Sequence, residues 1–152
     1  MLMPTKILVP TDFSEYSDKA LKQALDIAAE YKSKVYVLHV VDAKLQSTMT
    51  VDHSEVLINF DDIRNLEKSI VKIAKERMRK QVAKFPENKD VQVTQSVKSG
   101  VPYEEILREQ EAKGIDLIVI ASLGNTGIAK YLIGGVARNV LKGAKCPVLL
   151  TK

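Results

Sequence analysis

Five short apolar runs, spaced along the chain with helical patterns between them, restrict the possible fold more than any other feature. They are Lys6-Ile7-Leu8-Val9 and residues 35–41, 91–97, 115–120 and 147–151. Each has the length and the valine, isoleucine and leucine content of a strand. Run 35–41 is almost continuously apolar, as expected when both faces of a parallel sheet are covered, and it is placed centrally. Run 91–97 alternates, which predicts a strand half exposed or near an edge. Helical spacing fills the gaps. It runs through Ala20, Leu21, Ala24, Leu25 and Ala28 to about Tyr31, and over 61–85 with Ile63, Leu66, Ile70, Ile73, Met78, Val82 and Phe85 on one buried stripe. Shorter helices are predicted from about Tyr103 to Lys113, with Ile106 and Leu107 inside, and after Gly135 to near Gly143. Five strands alternating with four helices require an α/β fold, a five-stranded parallel doubly wound sheet with helices on both faces.

Local signals place the boundaries. Pro10 closes the first run, because a proline offers the ladder no donor. Ser14 is the better N-cap for the helix after it, since Glu15 and Asp18 then fall in the acidic first turn. Gly100 and Pro102 punctuate the turn into the third helix, and Gly114 suits its C-cap. Only 42–60 lacks periodicity. A connection of that length at the carboxyl end of a strand is a candidate cover over a ligand crevice.

The 152 residues make one domain, 1–152, long enough to bury its own core. A net charge of +4, from 23 basic and 19 acidic residues mixed along the chain, gives no concentrated footprint for nucleic acid. The basic face of helix 61–85 is ordinary solvated surface, with pairs such as Glu76 and Lys80 at i,i+4. One cysteine, Cys146, excludes an internal disulfide. Without a secretory signal or an apolar run of transmembrane length, the expected location is the cytoplasm, with no membrane partner.

Chemistry concentrates where Ile118-Val119-Ile120-Ala121 gives way to Ser122-Leu123-Gly124-Asn125-Thr126-Gly127, followed by Gly134-Gly135-Val136. A strand that leads into glycines and then a helix start presents backbone N–H groups and a positive dipole end to an anion. A purely structural turn has the same spacing. Asp12, at the end of the first strand, can accept from ribose hydroxyls or serve only as a turn residue. His39 lies inside the second strand, with no second His, Cys or carboxylate at ligand spacing and His53 in a loop. It reads as a packed, hydrogen-bonded core histidine. No metal site is expected. No nucleophile stands beside a base and no lysine is embedded in the glycine loop, so an enzyme is not expected, with slow ATP turnover left open. Lys130 and Arg138, near the loop, suit helix surfaces equally well.

The segments Ile7-Leu8-Val9-Pro10-Thr11-Asp12-Phe13-Ser14, Leu38-His39-Val40-Val41-Asp42, Gly100-x-Pro102 with Ile106, Asp116-Leu117-Ile118-Val119-Ile120, and Gly134-Gly135-Val136 through Lys145-Cys146-Pro147-Val148-Leu149 resemble, in order, the universal stress protein family. The resemblance spans essentially the whole chain. It implies a flavodoxin-like sandwich, related to the adenine nucleotide alpha hydrolases, that often dimerises through its last strand, here Val148 to Thr151. It also implies a regulatory stress-response role, and one branch of the family binds ATP. By that likeness Asp12 holds the ribose, the backbone of Val40 reads the adenine edge and Pro10 lines the base pocket. AMP or ADP are alternative ligands, and Mg2+ would accompany ATP. The branch's phosphate pattern is glycine, two residues, glycine, nine residues, then glycine and a serine or threonine. It falls on Ala121, Gly124, Gly134 and Gly135, ahead of Val136, so the first and last positions depart. A second register through Gly127 leaves only six residues to Gly134 and is the poorer match. The alternative function is a nucleotide-independent homodimeric interaction protein.

Overall fold

The computed structural model describes residues 3–43, 60–123 and 133–152. Most of the connection expected over 42–60, with His53, and also Gly124, Gly127 and Lys130, lie outside them. Five strands, β1 (Lys6–Pro10), β2 (Lys34–Asp42), β3 (Val93–Gly100), β4 (Leu117–Ala121) and β5 (Val148–Thr151), form one parallel sheet in the order β3-β2-β1-β4-β5. The centre is β1, and β2, expected there, lies one place outward. Its apolar character reflects cover on both faces, which every interior strand of such a sheet shares.

Alternation along each strand divides the core. Ile7, Val9, Val35, Val37, Leu117 and Val119 point to one face, where α1 (Glu15–Tyr31) and α2 (Phe60–Ala83) cover them. Leu8, Leu38, Ile118 and Ile120 point to the other, under α3 (Pro102–Lys113) and α4 (Gly135–Gly143), which contribute Ile106, Ala137 and Val140. Each fully buried Leu or Ile contributes about 1.5–3 kcal/mol against exposure. At the amino end of the sheet, the Asp116 carboxylate accepts from the N–H groups of Thr5 and Lys6 and from the Thr5 hydroxyl, which ties the entrance of β4 to that of β1. Burial pushes that carboxyl upward, but the hydrogen bonds from Thr5 and Lys6 outweigh it and hold it below its ordinary value.

Three elements differ from the expectation. β3 continues to Gly100, because Val41 and Asp42 pair with Ser99 and Gly100 through the backbone, whatever the side chains. Its edge position agrees with the alternating pattern. α2 keeps the C-terminal part of its expected stripe, with Met78 buried and Val82 and Phe85 packed on the core, but Ala74 and Gln81 are also buried while Ile73 and Leu66 are 60% and 47% exposed. Glu109 and Gln110 of α3 are buried as well. Glu109 is satisfied by Lys98 on β3, and the Gln110 side-chain oxygen accepts from the N–H of Lys145. The caps follow the sequence: Ser14 accepts from Ser17 N–H, and Gly114 takes the left-handed conformation, φ 63°.

Candidate functional site

In this strand order, the connections from β1 and β4 leave on opposite faces, so a crevice opens between the carboxyl ends of two adjacent strands. A cavity of about 290 Å3 occupies it, close to the lower end of small-molecule pockets at about 300 Å3. The ends of β1, β2 and β4 and the first turns of α3 and α4 form its walls. Pro10, Asp12, Val40, Ala121, Gly134, Gly135 and Val136 all line it, and Gly124 lies outside the described residues.

The turn after β1 is held tightly. Thr11 N–H donates to the carbonyl of Leu38 at 2.9 Å, and its side-chain oxygen accepts from Phe13 N–H at 3.0 Å. Phe13 has φ 66°, an unfavourable region for an aromatic residue. Asp12 Oδ1 accepts from the N–H and the hydroxyl of Ser14, closing an Asx turn directly before α1. Asp12 is thus a turn residue as expected, and an ionised carboxylate offers about four lone-pair sites in all.

β2 outruns β1. Along a strand the N–H and C=O of alternate residues point the same way. The Leu38 carbonyl faces β1, where it accepts from Thr11, and the last register pair between the strands is Pro10 with Leu38. Two residues on, the backbone donor and acceptor of Val40 face that same side, where β1 has ended and the cavity begins. A donor and acceptor so placed match the edge of a flat heterocycle.

On the other side, Ser122 is pinned at both ends. Its N–H donates to the Thr151 carbonyl at 2.9 Å, and its carbonyl accepts from Gly134 N–H at 2.7 Å. A Cβ at Gly134 would stand 3.3 Å from the Ser122 oxygen, so glycine suits this close approach. α4 begins directly afterwards, with Gly134 as an N-cap that has no side chain to offer. The N–H groups of Gly135, Val136 and Ala137 have no intrahelical acceptor, and they carry the positive end of the helix dipole. None of the described lining residues is lysine or arginine. Among the described residues no group of three His, Cys, Asp or Glu side chains is placed to hold a metal ion.

The two departures from the glycine pattern differ in consequence. Ala121 is the last residue of β4, and among the described non-glycine residues only Phe13 and Lys32 have positive φ. Its position therefore requires no glycine conformation. At Gly135 an added Cβ would meet nothing within 4 Å among the described residues. That site has room for the hydroxyl side chain it lacks.

His39 differs from its expected role. It is hydrogen-bonded, with Nδ1 2.7 Å from the Thr11 carbonyl, but it is only partly buried and faces the cavity. A carbonyl only accepts, so Nδ1 carries the proton and the neutral ring leaves Nε2 as an acceptor. Burial lowers its pKa below 6.5; the Thr11 bond opposes this, the Arg77 charge adds to it and Asp12 opposes it. The unfolded chain thus takes up the proton first as pH falls, so stability is full above about pH 6.5 and declines as pH drops toward the folded value. His39→Gln is expected to flatten the fall of Tm between about pH 7.5 and 5; an unchanged slope would place that titration elsewhere.

The sequence reading also passed over Thr11, Ser17 and Gln81, which form a buried polar cluster behind the turn. Gln81 occupies an inward position three residues after Met78, and that spacing was the available signal.

The universal stress protein family model matches residues 3–152. The chain is 36% identical over 147 residues to the universal stress protein MJ0531 of Methanocaldococcus jannaschii, covering 97% of this chain and 81% of that one. The solved structure of MJ0577 from the same organism superposes with a TM-score of 0.83 at 30% identity, covering 99% of this chain and 97% of the other. A universal stress protein from Archaeoglobus fulgidus, solved in complex with dAMP, shares the fold with a TM-score of 0.58 at 19% identity, covering 99% and 100%.

Proposed function

Because the chain belongs to the universal stress protein family, we propose that its crevice binds ATP or a related adenine nucleotide and that the protein works as a cytoplasmic regulatory module, not as a catalyst. The convergence of three recognition elements on one cavity carries this reading. The Val40 backbone suits the adenine edge, the Asp12 carboxylate suits the ribose hydroxyls, and the uncapped start of α4 suits phosphate. The dAMP complex of the Archaeoglobus relative supports the ligand class.

Among the described residues no strand pairs with the outer edge of β5, and Leu149 on it is 38% exposed. An edge of that kind is a template for another strand, and it supports a homodimer through Val148 to Thr151. No helix among the described residues is long and apolar enough to cross a membrane.

Thermal unfolding with ATP, ADP, AMP and cyclic AMP tests the ligand. At a hundred times Kd the binding free energy adds about 2.7 kcal/mol, a rise in Tm of about 5–10 °C for a domain of this size. A Tm that stays flat with every nucleotide at millimolar concentration would rule the reading out and leave the nucleotide-independent dimer.

A further inference from the structure

We infer that α2, which does not line the crevice, is part of its recognition machinery: Gln81 and Arg77 are positioning residues that hold the Thr11–Phe13 turn so that Asp12 meets the ligand. This rests on the nucleotide reading above. Gln81 is 3% exposed, and its orientation is fixed by its partners. Its Nε2 donates to Asp18 Oδ1 at 2.8 Å and to Ser17 Oγ at 3.2 Å, which leaves Oε1 to accept from the Thr11 hydroxyl at 2.8 Å. The Ser17 hydroxyl spends its own proton on the Ser14 carbonyl at 2.8 Å. The Thr11 oxygen, with its proton directed at Gln81, is then free in geometry to accept from Phe13 N–H. The Thr11 hydroxyl also lies 3.0 Å from Ser17 Oγ, a second acceptor in reach of its proton, so Gln81 and Ser17 together hold it, and the bond from Phe13 N–H fixes the residue with the unfavourable φ.

Arg77 acts on the same residue from one helical turn earlier. Its guanidinium lies 4.6 Å from the centroid of the Phe13 ring, which is 4.3 Å from the His39 ring. Phe13 therefore contacts α2 through Arg77 and β2 through His39, and His39 donates to Thr11 at the start of the turn. The residue between Thr11 and Phe13 is Asp12. Any shift of α2 changes the support of that carboxylate, and by linkage a ligand on Asp12 biases α2. A merely structural polar cluster would satisfy buried groups without reaching both residues that flank the ligand-binding one.

A double-mutant cycle on the full chain separates the two roles. ATP affinity is measured by isothermal titration for the unsubstituted protein, Gln81→Met, Asp12→Ala and the double variant, at a temperature where each is folded by circular dichroism. Gln81→Met is expected to weaken ATP about tenfold in the Asp12 background and less than about twofold in the Asp12→Ala background, because its effect passes through the carboxylate. Equal losses in both backgrounds, or no loss, would overturn the inference. Should Gln81→Met fail to fold, Arg77→Met, at an exposed position, takes its place in the cycle, with a loss of about threefold that vanishes in the Asp12→Ala background. An unsubstituted chain that binds no adenine nucleotide defeats the reading of the site itself. One that binds while the variants bind equally defeats only this inference.

Discussion

Asp12→Ala is expected to lower the affinity for ATP about ten- to a hundredfold. A hydrogen bond to an ionised group contributes roughly 1.5–3 kcal/mol net, and 1.4 kcal/mol is a factor of ten. Alanine also removes the acceptor of Ser14 N–H before the N-cap of α1. Loss of such a link costs about 0.5–2 kcal/mol, so Tm falls by a few degrees. Asp12→Asn separates the effects: it keeps an acceptor for Ser14 and holds Tm, while a neutral acceptor replaces the ionised one and affinity still drops. Unchanged affinity of Asp12→Ala by isothermal titration would remove Asp12 from the site.

Gly135→Ser works in the opposite direction and strengthens ATP binding by about tenfold or more. Gly135 is the first residue of α4, its φ is not positive, and an added Cβ meets nothing within 4 Å among the described residues. Serine therefore enters without strain, and its hydroxyl joins the N–H donors at the helix start, where one further bond to phosphate is worth about 1.5 kcal/mol or more. Removing a glycine from a helical position also lowers the entropy of the unfolded chain, so Tm holds or rises slightly. The gain should appear for ATP and ADP and be absent for adenosine. An equal change for adenosine would show that the hydroxyl does not meet phosphate.

Where the residues act through periodicity, the sequence was sufficient. The apolar runs, the Ser14 and Gly114 caps and the alternation of β3 follow from local rules, and the parallel sheet follows from the rule on crossovers. Gln81 was illegible because an inward glutamine has the same spacing as an outward one, and only its partners in the turn after β1 and on α1 distinguish them. Ile73 misled for the same reason: the stripe on α2 is decided by which residues meet β2 and β3, and the small Ala74 fits that contact better than the larger neighbour. His39 sits in an apolar run, so its exposure depends on β1 ending before β2 does, which is a matter of register between distant segments. The glycine pattern marked the end of the crevice where α4 begins. Only the backbone angles show that Ala121 needs no glycine, and only the space around Gly135 shows that a hydroxyl would fit.

The most direct test of a nucleotide in this crevice is the amide N–H spectrum of the isotopically labelled protein titrated with ATP. The largest saturable shifts should fall on Val40, Gly135, Val136 and Ala137, and those of Gly135 to Ala137 should be much smaller with adenosine, which has no phosphate. Shifts that cluster elsewhere, or a spectrum unmoved at millimolar ATP, would contradict the proposed site.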